Sequence, residues 1–242
     1  MKSNVLKVHL PQQPFANNRR QFLKLSGLAV VSSGLLFACS DEDEDNPQNQ
    51  GLFDLGKGDL GVLNYAYALE QLEADFYTKV VNGSYWSSAN TEKKTLLQDL
   101  YYHEVNHRDF FSAAISAAVG SNTGAKLPTL SFNYSGVNFN DRASVLGTAK
   151  VLEDTGVAAY NGAGRLLTNP DYLVIAGKIV SVEARHASAI RTLINPNSVD
   201  FAGDDVVDPV TGLDMAKNPS AILTAVGATG FITTKFTANF LP

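Results

Sequence analysis

Glutamate and histidine recur along this 242-residue chain in an order that constrains its fold more than any other feature. The order is Glu, Glu-x-x-His, Glu, Glu-x-x-His, and its members are Glu70, Glu104 with His107, Glu153, and Glu183 with His186. Residues three apart on a helix lie on one face, with Cβ atoms about 5–6 Å apart. Each Glu-x-x-His pair can therefore direct two side chains to one point, and the two other glutamates complete a set of six inside a four-helix bundle.

Helical periodicity surrounds each of these four segments. Asn90 and either Asn140 or Asp141 are suited to cap helix N-termini, and Pro170 is suited to a first helical turn. The predicted helices cover about residues 59–81, 90–120, 141–167 and 169–194. The connection 121–140 has β-like pieces but no helical period, and its length suits a crossover between two helix pairs.

The predicted fold class is therefore all-α. We expect a four-helix bundle with a long connection between its second and third helices. A C-terminal extension, 195–242, follows the bundle and contains a short fifth helix at 219–226, capped by Asn218. Glycines at positions 147, 156, 162 and 164 of the third helix indicate either close packing of the backbone or free space near the bundle centre.

The two halves of the predicted bundle resemble each other. Glu70 is followed seven residues later by Tyr77, and Glu153 is followed seven residues later by Tyr160. This match favours Glu70 over Glu73 as a ligand, so we interpret Glu73 as a neighbour of the ligands or a surface residue. The two tyrosines either hydrogen-bond to the ligands or carry an electron, or they are core tyrosines with satisfied hydroxyls.

Four carboxylates inside a bundle are very costly to bury without compensating charge. Two divalent cations would balance them, and carboxylates with one imidazole per ion favour iron or manganese. The predicted ligands are Glu70 and His107 for one ion, Glu153 and His186 for the other, and Glu104 with Glu183 as bridging, catalytic carboxylates. His103 is rotated by about 100° from Glu104 on a helix, so we expect it to face outward or to pack between helices.

The first 38 residues have the pattern of an export signal. Arg19-Arg20 precedes an apolar run, 25–38, that is shorter than the ~20 residues needed to span a bilayer. This order is typical of a twin-arginine signal peptide. The run ends at Cys39 in a sequence like a lipobox, so we predict that Cys39 is lipidated. The alternative is an uncleaved anchor with an incidental cysteine.

The residues after Cys39 are strongly acidic. Like charges cannot be buried together, so 39–54 is predicted to be a solvated tether between the lipid and a bundle at 55–194. The acidic run also resembles signals that send some lipoproteins to the outer surface. We therefore expect an exported lipoprotein of the bacterial cell envelope, attached to the membrane by its lipid.

Composition excludes several classes of function. A single cysteine excludes an intramolecular disulfide and a cysteine-based zinc site. The formal net charge is −5, and basic residues do not cluster on any predicted helix, so nucleic acid is not an expected partner.

The segments LNYAYALEQLEADFY, HEVNHRDFF, AKVLEDTGVAAYNGAG and VEARHASAIR resemble the four helices of the ferritin-like superfamily. More narrowly, they are similar to the exported bacterial ferritin-like proteins that include the desiccation-related group. The resemblance covers about residues 55–194 and implies a four-helix bundle with the six ligands named above. Functions in the superfamily range from iron oxidation and storage to peroxide removal, so the resemblance implies the site more narrowly than the reaction.

Two functional hypotheses follow. In the first, the protein is a metal-dependent oxidoreductase that reacts Fe(II) or Mn(II) with dioxygen or peroxide. In the second, it is a non-catalytic metal-binding or stress-protective envelope lipoprotein. The long connection, the tether and the extension disfavour a closed storage cage, although a homo-oligomer is compatible with both hypotheses.

Overall fold

The computed structural model describes residues 51–242, and α-helices make up most of this part of the chain. The four long helices are α1 (Gly58–Asn82), α3 (Thr91–Val119), α4 (Arg142–Gly164) and α5 (Pro170–Ile194). Two shorter helices are α2 (Ser84–Ser88) and α6 (Pro219–Thr229). The predicted all-α class is thus confirmed. The predicted signal peptide, the lipidation site Cys39 and most of the acidic tether lie outside the described residues.

Side-chain caps fix the start of three long helices. The side chains of Asn90, Asp141 and Asn169 each accept a hydrogen bond from a backbone N–H in the first helical turn. Such caps satisfy amide groups that have no partner inside the helix and contribute about 1 kcal/mol each. At its other end, α4 stops at Gly164, before the predicted 167, because the chain continues in turns in which Leu166 and Leu167 donate to nearby carbonyls.

The long helices form a bundle in which α3 and α4 point in the same direction. The first half of α1, the ends of α3 and α4, and the beginning of α5 line one common cavity. Residues 120–141 must therefore pass along the length of the bundle, as the predicted crossover requires. This segment has no strand, and its extended part contributes only one bridge, between Phe132 and Ile232.

Buried polar side chains of α1 hold this crossover segment in place. The side-chain amide of Asn64 donates to the carbonyl of Ala125 (2.9 Å) and accepts from the N–H of Leu127 (2.9 Å). The side chain of Gln71 accepts from the N–H of Leu130 (2.9 Å). Because buried backbone groups need partners, these two residues allow an irregular segment to lie directly on the core.

The C-terminal extension packs against the bundle. Strand β1 (Phe53–Asp54) pairs in parallel with β2 (Phe236–Thr237), and α6 buries Ile222 and Val226. Asn218 is the N-cap residue of α6, as predicted, but its side chain makes no cap hydrogen bond and instead accepts one from Arg165. Between residues 51 and 242, no helix is long and apolar enough to cross a membrane.

Candidate metal centre

Each long helix contributes one fully buried glutamate to the middle of the bundle. Glu70 lies on α1, Glu104 on α3, Glu153 on α4 and Glu183 on α5, and all four are 0% exposed. The two Glu-x-x-His helices add His107 and His186. Burying four carboxylates without cations would cost several kcal/mol for each group, so the bundle needs a source of positive charge at this point.

The six predicted ligands lie together in two overlapping groups. The first group contains Glu70, Glu104, His107 and Glu183, and the second contains Glu104, Glu153, Glu183 and His186. In each group, one candidate ligand atom per residue lies within 4.8 Å of all the others, and each group could hold a metal ion. Glu104 and Glu183 belong to both groups, which is the position that bridging carboxylates would occupy.

The histidine nitrogens lie within ion-pair distance of the carboxylates but not in directions that make hydrogen bonds. His107 Nδ1 lies 3.0 Å from Glu183 and 3.5 Å from both Glu70 and Glu104. His186 Nδ1 lies 2.9 Å from Glu104 and 3.3 Å from Glu153. Both nitrogens and the carboxylate oxygens around them nevertheless lack a hydrogen-bond partner among the described residues. Buried polar atoms of native proteins are normally paired, so this convergence indicates a missing common partner.

The two predicted tyrosines each contact one glutamate of the cluster. Tyr77 donates a hydrogen bond to Glu153 (2.6 Å), and Tyr160 donates one to Glu70. Each tyrosine thus binds the glutamate of the other sequence half. In both glutamates the hydrogen bond is made to Oε1, and Oε2 faces the cluster without a hydrogen-bond partner. Burial, together with the neighbouring carboxylate, raises the pKa of both phenols well above its ordinary value and keeps them as donors.

His103 contacts the centre although the sequence excluded it from the ligand set. Its Nδ1 lies 2.8 Å from Nε2 of His186, and the two rings are nearly parallel. A ligating histidine commonly uses its second nitrogen for such an outer hydrogen bond, which fixes the ring orientation. His103 is exposed to solvent and also packs between α3 and α5. The sequence does contain a signal for this position. His103 precedes His107 by four residues, a spacing that places both side chains on one face of a helix.

Glu73 is buried beside the cluster, so the surface alternative is wrong. It is only 3% exposed, and burial followed by the charge of Glu183 raises its pKa well above the ordinary value. Gly156 faces it: a Cβ atom at position 156 would lie 3.2 Å from Glu73 and 3.5 Å from Glu183. Both Glu73 and Gly156 follow a cluster glutamate by three residues. The glycine in one sequence half therefore leaves room for a fifth carboxyl, that of Glu73, from the other half.

The metal-free cluster shares protons among its members. Burial lowers the pKa of His107, but its contacts with Glu104, Glu183 and Glu70 outweigh burial and raise the pKa to about 12. Although burial opposes it, contact with both histidines lowers the pKa of Glu183 to about 2. Burial raises the pKa of Glu153 to about 7 even though His186 is close. Cations that bind here would have to displace protons from the cluster.

A polar groove between α3 and α5 lies over the two histidines of the centre. Its lining includes the charged and polar side chains of Glu92, Asp99, His103, Asn106, His107, Arg185 and His186. His107 is the more open of the two histidines, with 14% of its side chain exposed compared with 4% for His186. The groove is therefore a polar approach from solvent to the centre.

A bundle of four helices around buried glutamates and paired Glu-x-x-His segments defines the class of ferritin-like carboxylate proteins. The family model of the ferritin-like domain matches residues 58–196, which is more than half of the chain. The protein therefore belongs to the ferritin-like domain family. No curated protein matches the chain. The narrower relation to exported, desiccation-related proteins stays a prediction.

Proposed function

We propose that this protein is an exported metalloprotein that binds two divalent ions, iron or manganese, and catalyses a redox reaction with dioxygen or hydrogen peroxide. One observation carries the proposal: in the middle of the bundle, the donor atoms of four carboxylates and two imidazoles converge without hydrogen-bond partners. An arrangement that leaves so many buried polar atoms unpaired would be very costly unless a cation satisfied them.

The donor set fits a pair of hard divalent ions. Four carboxylates offer four negative charges, which two divalent ions would neutralise. Oxygen donors with one imidazole for each ion match the preferences of iron and manganese. In this proposal Glu104 and Glu183 bridge the ions, and the terminal ligands are Glu70 with His107 and Glu153 with His186. When bound, the two ions supply changes of oxidation state at a site that the protein shields from bulk water.

The surrounding residues support this role through positioning. Tyr77 and Tyr160 each hold one oxygen of a terminal glutamate and direct the other oxygen into the cluster. His103 does the same for the ring of His186. Such contacts keep ligands in place before the metal arrives, which lowers the cost of assembling the site.

A second candidate function is a non-catalytic, metal-stabilised envelope protein. The supporting observation is that the six donor residues come from all four long helices. Bound ions would therefore cross-link the whole bundle and stabilise it by binding only the folded state. A protein of this kind would protect the envelope without turning over an oxidant.

The proposed location is the bacterial cell envelope, with the chain attached to the membrane through lipid on Cys39. Support comes from the order of arginine pair, apolar run and cysteine in residues 19–39 and from the acidic residues after them. A Cys39→Ser variant is expected to lose membrane association in cell fractions while it retains its metal. An unchanged membrane fraction would contradict lipid attachment at this residue.

The function is tested by elemental analysis and oxidant consumption. We expect two iron or manganese ions per chain in protein expressed with its export signal, together with consumption of dioxygen or peroxide. Glu104→Ala and Glu183→Ala should abolish turnover and reduce the metal content. Asp109→Ala is a matched control on α3, because the Asp109 side chain is 61% exposed and pairs with Arg108. Two bound ions without turnover of either oxidant would favour the non-catalytic function, and absence of metal would overturn both.

A further inference from the structure

An apolar cavity lies between the four long helices next to the candidate metal centre, and partly exposed side chains such as Phe110 line its outer end. All four long helices line it with almost entirely apolar side chains, which include Leu69, Phe111, Ala159, Ala163 and Ile175. Tyr160 forms the wall toward the centre, because it lines the cavity and also donates its hydroxyl hydrogen bond to Glu70. The cavity is separate from the polar groove over the histidines, with which it shares no lining residue.

The lining disfavours water and other strongly polar molecules. Of the three tyrosines in the lining, Tyr160 already donates its hydroxyl hydrogen to Glu70 and Tyr172 is only half-buried. Among the described lining residues, Tyr65 therefore has the one buried hydroxyl without a partner. Tyr65 is 1% exposed, and its hydroxyl has no hydrogen-bond partner. A buried water needs two to four polar partners, and apolar cavities stay dry and take up xenon. Hydrogen peroxide has similar hydrogen-bonding needs and would be poorly accommodated.

The size of the cavity restricts its occupant to a very small molecule. The volume of the cavity is about 30 Å³. A water-sized molecule needs a cavity of roughly 10–15 Å³, so this cavity has room for only a few atoms. A fatty acyl chain or another drug-sized ligand would need several hundred Å³. A diatomic, apolar gas fits both the volume and the lining.

We propose that this cavity binds dioxygen and delivers it to the metal centre past Tyr160. The inference rests on the proposed function and names dioxygen as the oxidant. Dioxygen is apolar and can accept a weak hydrogen bond. It would therefore give the Tyr65 hydroxyl the hydrogen-bond acceptor that it lacks. Peroxide would instead approach through the polar groove between α3 and α5.

Xenon binding in crystals tests whether the cavity takes up an apolar gas, independently of catalysis. We expect crystals of the metal-free full chain under xenon pressure to show one xenon atom between Tyr65, Ala159 and Tyr160. Ala159→Val and Ala163→Val should each remove the xenon, because two added methyl groups fill the space. Ala158→Val is the matched control: Ala158 lies on the same helix and is also buried, but it lines a different groove with room for the larger side chain. It should retain the xenon.

Kinetics with the metal-loaded protein test delivery. In Ala159→Val and Ala163→Val the KM for dioxygen should rise about tenfold, while the KM for peroxide and the metal content stay unchanged. Two variants are used so that a folding defect in one does not decide the result, and circular dichroism checks both. An unoccupied or water-filled cavity in the xenon crystals would overturn the proposal and leave the proposed metal centre intact. Xenon binding without dioxygen consumption by the wild type would overturn delivery together with the oxidase reaction.

Discussion

Single tyrosine hydroxyls connect the two halves of the centre. Replacing Tyr77 by phenylalanine would leave Oε1 of Glu153 buried without its donor, which costs about 1–3 kcal/mol of folding free energy. We also expect metal affinity to fall about 10–100-fold, because the ligand loses its orientation. Metal titration followed by calorimetry measures the affinity.

Tyr134→Phe provides the control for the tyrosine prediction. Its buried hydroxyl donates to the backbone carbonyl of Leu72 (3.0 Å) and touches none of the six candidate ligands. We expect a loss of stability similar to that of Tyr77→Phe, but unchanged metal affinity. Equal affinities for Tyr77→Phe and Tyr134→Phe would show that the tyrosine bond to the carboxylate does not position a ligand.

His103 acts on the centre through the ring of His186. His103→Ala should lower metal affinity by about tenfold or more, because Nε2 of His186 loses its outer partner. His103→Gln offers an amide oxygen in a similar position and should restore part of the affinity. Asn106→Ala, in the same groove, is the matched control and should bind metal like the wild type. Full affinity in His103→Ala would contradict a positioning role.

At the scale of helices, the sequence contained enough information to place the elements but not all of their contacts. Apolar periodicity and capping residues located all four long helices, because both signals are local. The surroundings of His103 and Glu73 depend on how neighbouring helices are rotated relative to each other. The periodicity of one helix does not contain that information. The β1–β2 pair joins two-residue strands that lie more than 180 residues apart, and such short segments carry no readable pattern.

The glycines of α4 have different structural roles, and a pair of substitutions separates them. A Cβ atom at Gly162 would lie 1.7 Å from the carbonyl oxygen of Lys217, so this glycine allows the C-terminal extension to touch the helix. Gly147 has nothing within 4 Å of the same position. We expect Gly162→Ala to destabilise the fold by about 1–3 kcal/mol through overpacking.

Gly147→Ala is the control on the same helix. It should stabilise the protein by about 0.5–1 kcal/mol, because alanine is the better helix former. Chemical denaturation measures both variants, and limited proteolysis should cut the extension faster in Gly162→Ala only. Equal effects of the two substitutions would contradict a packing role for Gly162.

At the scale of the whole molecule, the buried cluster couples metal binding, protonation and stability. In the metal-free protein, folding raises the pKa of Glu153 from 4.5 to about 7 and that of His107 from 6.5 to about 12. At any pH between the unfolded and the folded pKa of one of these groups, the folded state therefore binds more protons than the unfolded state. Stability must then fall as pH rises through these windows. The lowered pKa of Glu183, about 2, has its effect only in more acidic solution.

We therefore expect the Tm of the metal-free protein to decrease steadily between about pH 5 and pH 8. Metal ions replace the protons and bind only the folded state, so the Tm of the loaded protein should vary less, and the difference between the two forms should widen with pH. Glu153→Gln carries no titrating carboxyl at this position, so its metal-free form should show a shallower decrease. Differential scanning calorimetry with and without chelator measures all three. A Tm of the metal-free protein that rises over this pH range would contradict proton sharing in the cluster. A rising Tm is expected instead when the fold stabilises carboxylates in their ionised form.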